Sequence, residues 1–358
     1  MTLDVTLTNP YAWPAVTRGS EAVMHGLARW LAGQGHRARI VAGRGRARCY
    51  QIEGVPVRTV AAPDLTRVHR LLNSEVTMIP ALTAYLYRSR PEIVHCFHYC
   101  DAISAAGARR PRLLSFQGMP LFPISSRSRA ALLRTALRHT ELVVCPSQAA
   151  ADHLAAEFEH PFVVIPNALD TSQFALTTRR RNNVIFCAGT AEDARKRVDI
   201  LVMAFRELLR RGLDLELWLG GTVRVTTQRE LLELLDDKER HRVSFVGNLA
   251  GAELARTYCE ATVTCLPSVY EAFGVVLVES LASGTPVAGA AHSAIPEIID
   301  SEVGELFSPD GWEPCAEALH RLLERADEAS LAEACRARAR RYDWDVIGPE
   351  FVALYAQL

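Results

Sequence analysis

Short apolar runs and helix-like runs alternate along this chain, and the alternation starts afresh near residue 184. Val5–Leu7, Ala38–Ala42, Val55–Val60, Ile93–Cys96, Arg112–Phe116 and Leu142–Cys145 read as strands. Helical spacing fills the gaps between them, as at Ala22, Val23, Leu27, Trp30 and Leu31. After the Pro166-Asn167 turn signal and a polar segment to Asn183, strand-like runs return at Val184–Ala188, Leu215–Gly220, Val243–Val246, Ala261–Pro267 and Val287–Ala291. Apolar strands separated by helices build parallel sheets covered on both faces. Two such series in 358 residues predict an α/β chain of two Rossmann-like, doubly wound domains. Ligand is expected in an interdomain cleft, at the carboxyl ends of the strands.

The chemistry concentrates in Ser268–Val287. This stretch reads as a loop, a short helix opening at Phe273-Gly274 and a stop at Gly284, where a left-handed cap is easy. Val275, Val276, Leu277, Val278, Leu281 and Ala282 cover the helix all round, so it is expected to be buried. Glu279 nevertheless sits inside it, and a carboxylate is rarely buried without a partner. Glu271 precedes the helix, whose first N–H groups form an anion site. Two carboxylates flanking such a site suit a ligand with hydroxyls at both ends and phosphate between them, which describes a nucleotide sugar. Taken singly, Glu279 is better read as a buried ion-pair partner and Glu271 as an ordinary helix-start acid.

Taken together, the stretch resembles the E-x7-E signature of retaining glycosyltransferases of the GT-B fold, in the GT4 family (glycosyl transferases group 1). Gly284-Thr285-Pro286-Val287 and Ile295-Pro296-Glu297-Ile298-Ile299 match it as well, and the resemblance covers nearly the whole chain. It implies a first domain over residues 1–170 on the acceptor side and a nucleotide-sugar domain over 171–340. A last helix, 341–358, would cross back onto the first domain. Glu271 would hold sugar hydroxyls and Glu279 ribose hydroxyls, with Phe273, Gly274 and Val275 lining the donor. Lys196 matches the lysine of the family's donor motif, near Gly189 and Arg195, while Thr190 replaces the usual arginine. Cations just past a strand end can neutralise a diphosphate, although a short basic run is more often a solvated turn. Gly19, opening a helix, matches a glycine-rich loop that touches the donor diphosphate; Arg18 replaces the first glycine there, and its side chain is the candidate for that contact. Backbone after Gly247 would meet the nucleobase, placing Asn248 and Leu249 there. Gln117 stands where many relatives carry a histidine. Glutamine cannot titrate, so His98 is the candidate acid–base replacement, with a plain structural role as its equal.

The resemblance implies same-face substitution without metal or cofactor, the nucleotide-sugar donor serving as co-substrate. UDP-sugar is the default, with GDP- and dTDP-sugars open. The acceptor would be a small molecule, a lipid-linked group or a saccharide. A sugar-nucleotide epimerase of the same architecture and a non-catalytic sugar-nucleotide-binding subunit are the alternatives. The pair Asp343 and Asp345 imitates a metal-binding DxD but falls after the second domain, and is read as structural. A formal net charge of -1 gives no global reason to expect nucleic acid. Nine cysteines without a CxxC pair fit reduced thiols. With no basic leader and no span of about 20 apolar residues, a cytoplasmic location is expected. Arg127, Arg129, Arg134 and Arg138 among leucines suit an anionic membrane surface less well than a solvated helix face.

Overall fold

The computed structural model describes residues 2–12, 19–43, 46–62, 74–119, 127–175 and 183–358. Two compact units divide the chain: Met1–Leu169 with Trp344–Leu358, and Asp170–Asp343. The expected divisions at 170/171 and 340/341 thus fall at 169/170 and 343/344.

The first unit holds one sheet of eight strands among the described residues. They are β1 (Asp4–Asn9), β2 (Arg37–Gly43), β3 (Arg48–Ile52), β4 (Val55–Val60), β5 (Ile93–Cys96), β6 (Arg112–Ser115), β7 (Leu142–Cys145) and β8 (Phe162–Val164). Their order is β3-β4-β2-β1-β5-β6-β7-β8. Val5 pairs with Ala38 on one side and Ile93 on the other, both parallel. Only β3 runs antiparallel, in a hairpin turned by Glu53 (φ 47°) and Gly54 (φ 81°). That strand was not expected, because exposed Arg48, Cys49 and Gln51 give it no apolar pattern.

The second unit holds β9 (Val184–Cys187), β10 (Glu216–Gly220), β11 (Val243–Gly247), β12 (Val263–Leu266), β13 (Val287–Ala290) and β14 (Gly304–Phe307). Their order is β11-β10-β9-β12-β13-β14, parallel throughout. Each sheet is laid outward from its first strand and then resumed on that strand's other side. The reversal falls between β1 and β5 in one unit and between β9 and β12 in the other. Connections diverge there, which opens a crevice at the strands' carboxyl ends.

The last helix, Trp344–Tyr355, belongs to the first unit and packs on the helix Gly19–Gly33. A Cβ on Gly26 would lie 2.6 Å from Trp344, and one on Gly348 2.6 Å from Trp30, so two glycines set this close crossing. His95, fully buried in β5, bonds Tyr355 of that helix through Nδ1 and Ser115 through Nε2, each at 2.7 Å. Burial pushes His95 down to about 3, so its ring stays neutral and one nitrogen donates while the other accepts.

Candidate functional site

The segments after β9 and β12 of the second unit bring together Lys196 and Glu271, two of the residues singled out in that half of the sequence. Gly189 follows β9 with φ 102°, and Lys Cε of residue 196 would lie 3.9 Å from a Cβ there. Behind it stands Gly221, just past β10. A Cβ on Gly221 would come within 2.7 Å of the Thr190 nitrogen and 2.8 Å of the Gly189 carbonyl carbon, at a φ of 83°. The turn after β9 can therefore seat only on a glycine. Thr190 is itself committed to structure: its hydroxyl donates to the Thr222 carbonyl at 2.6 Å. The residue that replaces the family's arginine is thus a turn anchor.

Lys196 Nζ donates to Glu271 Oε2 at 2.8 Å, with the two side chains 22% and 21% exposed. The pair joins the segment after β9 to the loop after β12, directly across the reversal. Backbone fixes it: Val269 N–H donates to the Arg195 carbonyl at 2.8 Å, and Ala294 N–H to the Glu271 carbonyl at 3.3 Å. Tyr270, 41% exposed, is held at φ 59° with its ring edge-on to His292 at 5.1 Å. His292 was not singled out from the sequence and lies in the loop after β13. Arg195, named beside Lys196, turns its guanidinium onto Asp193 instead (Nη2–Oδ2 2.6 Å).

The helix Val275–Ala282 begins after Gly274, in the left-handed region at φ 104°. Its start is thus one residue later than expected. Leu277, Val278, Ser280, Leu281 and Ala282 are buried, whereas Val275 keeps part of its surface at the open end. No side chain caps that end; of its first-turn N–H groups, Leu277's donates to the Gly274 carbonyl at 2.9 Å. Phe273, expected to line the donor, is 5% exposed and packs edge-on to Tyr342 at 5.5 Å. Its side chain supports the loop from below.

Glu279 has a partner, but not a cation. Tyr258 Oη donates to its Oε2 at 2.8 Å. Glu279 keeps part of its surface accessible, yet its carboxyl lies deep enough that burial pushes it from 4.5 up to about 7, with the tyrosine hydroxyl opposing the rise. The ion-pair reading of this glutamate is thereby replaced. Tyr258 escaped the sequence because a tyrosine inside the helix Gly251–Glu260 looks like any half-polar core residue. Asn248 and Leu249 follow β11, Asn248 exposed and Leu249 partly so.

In the first unit, Gly19, His98 and Gln117 follow β1, β5 and β6, three neighbouring strands. Arg18 lies outside the described residues. His98 is the N-cap of the helix Tyr99–Gly107, its Nδ1 accepting from Cys100 N–H at 3.2 Å. Its ring leans on Tyr99 at 4.0 Å, and burial lowers it to about 4. Nδ1 is therefore unprotonated and the ring neutral at pH 7, with its hydrogen on Nε2. Replacing His98 with alanine should lower unfolding free energy by about 1 kcal/mol through the lost cap, and His98→Asn should recover most of it in urea melts.

Two further readings resolve simply. Asp343 accepts from Thr171 N–H at 3.0 Å and its hydroxyl at 2.6 Å, while Asp345 accepts from Trp30 Nε1 at 2.9 Å. They serve different units. In the helix Arg127–Arg138, Leu133, Ala136 and Leu137 are buried and the four arginines exposed, so its apolar side is spent on the core. Among the described residues, no helix is long and apolar enough to cross a membrane.

Residues 17–173 match the model of Glycosyltransferase Family 4, and residues 182–325 that of Glycosyl transferases group 1. The chain belongs to the group 1, GT4-type glycosyltransferases. An MMP alpha-(1->4)-mannosyltransferase of Mycolicibacterium hassiacum is 31% identical over 229 residues, 62% of this chain and 55% of the relative. A phosphatidyl-myo-inositol mannosyltransferase of Mycolicibacterium smegmatis is 31% identical over 202 residues, 54% of this chain and 51% of the relative. The chain spans about half the length of these curated relatives. Sucrose-phosphate synthase from Thermosynechococcus elongatus superposes with a TM-score of 0.84 at 21% identity, covering 99% of this chain and 98% of its own. Anabaena HepE in complex with UDP-glucose gives 0.80 at 17%, covering 99% and 100%. The fold of this family member is GT-B.

Proposed function

We propose that this chain is a retaining glycosyltransferase that moves a sugar from a nucleoside diphosphate sugar to a hydroxyl acceptor without a metal ion. The observation that carries the reading is the Lys196–Glu271 pair. It stands at the reversal between β9 and β12, with the uncapped helix start at Gly274 and the Glu279 carboxyl on the same motif. The HepE complex with UDP-glucose favours a UDP-sugar, with GDP- and dTDP-sugars as competitors. The phosphatidyl-myo-inositol mannosyltransferase relative favours a lipid-linked acceptor over a free small molecule or saccharide.

The residues divide the work by charge. An ammonium carries three donor hydrogens, so Lys196 can keep Glu271 and still meet a diphosphate oxygen. The helix N-terminus meets another. Glu271 accepts from sugar hydroxyls and Glu279 from the ribose. As the bond from the anomeric carbon to phosphate breaks, both cationic groups oppose the growing charge on the leaving oxygen. The acceptor oxygen bonds to the same face, and its proton passes to the departing phosphate. From the first unit, Gly19 contributes backbone approach to the donor diphosphate, and on the acceptor side Gln117 contributes a non-titrating amide. His98 contributes an Nε2–H donor rather than a base.

Thermal-shift titration with UDP-, GDP- and dTDP-sugars tests the donor reading, since tight binding raises the melting temperature. No shift with any of them would sink it. Transfer activity should survive excess EDTA, because Asp343 and Asp345 are held by Thr171 and Trp30. Loss of activity with recovery on Mg²⁺ or Mn²⁺ would return the pair to the active site.

A further inference from the structure

Tyr258 presents a problem that packing alone does not solve. Its ring is fully buried, edge-on to Phe186 at 5.2 Å and to Phe174 at 6.1 Å, where a phenylalanine would pack equally well. The hydroxyl must therefore be compensated, and Glu279 compensates it. The carboxylate has a second oxygen, Oε1. Among the described residues it accepts no hydrogen bond, and it is not among the sealed, unsatisfied atoms. Tyr258 thus holds one oxygen of a carboxylate whose other oxygen faces accessible space.

The backbone makes this hold rigid. Thr285 Oγ1 donates to the Tyr258 carbonyl at 2.8 Å, and Ser280, beside Glu279, bonds Thr264 of β12 at 2.8 Å. The Tyr258 end is thereby tied to the turn before β13, and the Glu279 end to β12, in the sheet that carries the Lys196–Glu271 pair. We propose that Tyr258 is a positioning residue: by fixing one oxygen of Glu279 it aims the other at the ribose 2′-hydroxyl, and so makes this site prefer ribonucleotides to 2′-deoxyribonucleotides. The inference rests on the reading of Glu279 as the ribose contact, and it favours UDP- and GDP-sugars over dTDP-sugars.

Burial and the Tyr258 hydroxyl are the groups that move the Glu279 carboxyl; no charged side chain contributes. Losing the hydroxyl should therefore raise the carboxyl further and shift the pH dependence of nucleotide binding upward.

The test is calorimetric titration of the full chain with three pairs: UDP and 2′-deoxy-UDP, GDP and 2′-deoxy-GDP, ADP and 2′-deoxy-ADP. The pair bound most tightly is carried forward to Tyr258→Phe, Glu279→Gln and the double variant. The unmodified chain should prefer the ribonucleotide about tenfold, the scale of one hydrogen bond to a charged group. Tyr258→Phe should remove that preference, weakening the ribonucleotide about tenfold and the deoxynucleotide less than about twofold. The double variant should match Glu279→Gln, because two residues acting through one contact are not additive. Should Tyr258→Phe fail to fold, Glu279→Asp takes its place: it withdraws the carboxylate by one methylene and should lose the same preference. If Glu279→Gln abolishes the preference while Tyr258→Phe, or Glu279→Asp in its stead, keeps it, the positioning role fails alone. If Glu279→Gln also keeps it, the ribose reading of Glu279 fails and this inference with it. If none of the six nucleotides binds, the donor reading itself is overturned.

Discussion

Replacing Glu271 by alanine should cut sugar transfer at least about a hundredfold, the scale of losing one contact that strengthens in the transition state. The melting temperature should hardly move. The Lys196–Glu271 bond is partly exposed on both sides, and such pairs contribute about 1 kcal/mol or less to folding. The loop carrying Glu271 is also held independently, by Val269 N–H on the Arg195 carbonyl and by Ala294 N–H on the Glu271 carbonyl. Steady-state kinetics at saturating donor, with thermal melts beside them, separate the two effects. A folded variant with near-normal turnover would remove Glu271 from the chemistry. Because Lys196 loses its partner in the same variant, Lys196→Met should be compared directly. The two side chains are in direct contact, so their losses should be strongly non-additive when combined.

What the sequence revealed about this site depended on whether a role leaves a local pattern. The helix at Val275–Ala282, the glutamates at 271 and 279 and the lysine at 196 all lie in motifs whose spacing is set by one turn or one strand end. Most strands were also legible as local apolar runs, because parallel strands buried on both faces read as continuous hydrophobic segments, but the short β8 and β14 were not read. β3 was not either, since an edge strand exposed on its outer side needs no such run. Nor was Tyr258. It lies 21 residues from Glu279, and only the sheet brings its hydroxyl to the carboxylate. Gly221 was hidden for the same reason: its need for a missing Cβ comes from Thr190, on another strand's turn. His98 shows the converse. Glutamine at position 117, where many relatives carry a histidine, invited a catalytic reading of His98, while its observed bond is to a helix N–H two residues on.

Glu279→Gln should stabilise the fold and weaken donor binding together, with the two effects growing in the same pH range. The folded carboxyl titrates at about 7 against 4.5 for an ordinary glutamate. Between those values the folded chain keeps a proton that the unfolded chain has released, so stability falls as pH rises through this window. The contribution is fully present below 4.5 and lost above about 7. Discounted for the accessible part of the side chain, the loss is about 2 kcal/mol. Glutamine has no charge to desolvate, so urea melts at pH 8 should show the variant more stable than the parent by that amount. Near pH 4.5 the two should agree. Nucleotide binding should move the other way. The ionised carboxylate is the better acceptor for ribose hydroxyls, so donor affinity in the parent should rise as pH passes 7, while the glutamine variant should bind about tenfold more weakly at pH 8 and show no such rise. A variant that gains no stability at pH 8 would mean that the carboxyl is already well solvated. A variant that gains stability and still binds donor as tightly as the parent would leave Glu279 a core group whose only partner is Tyr258.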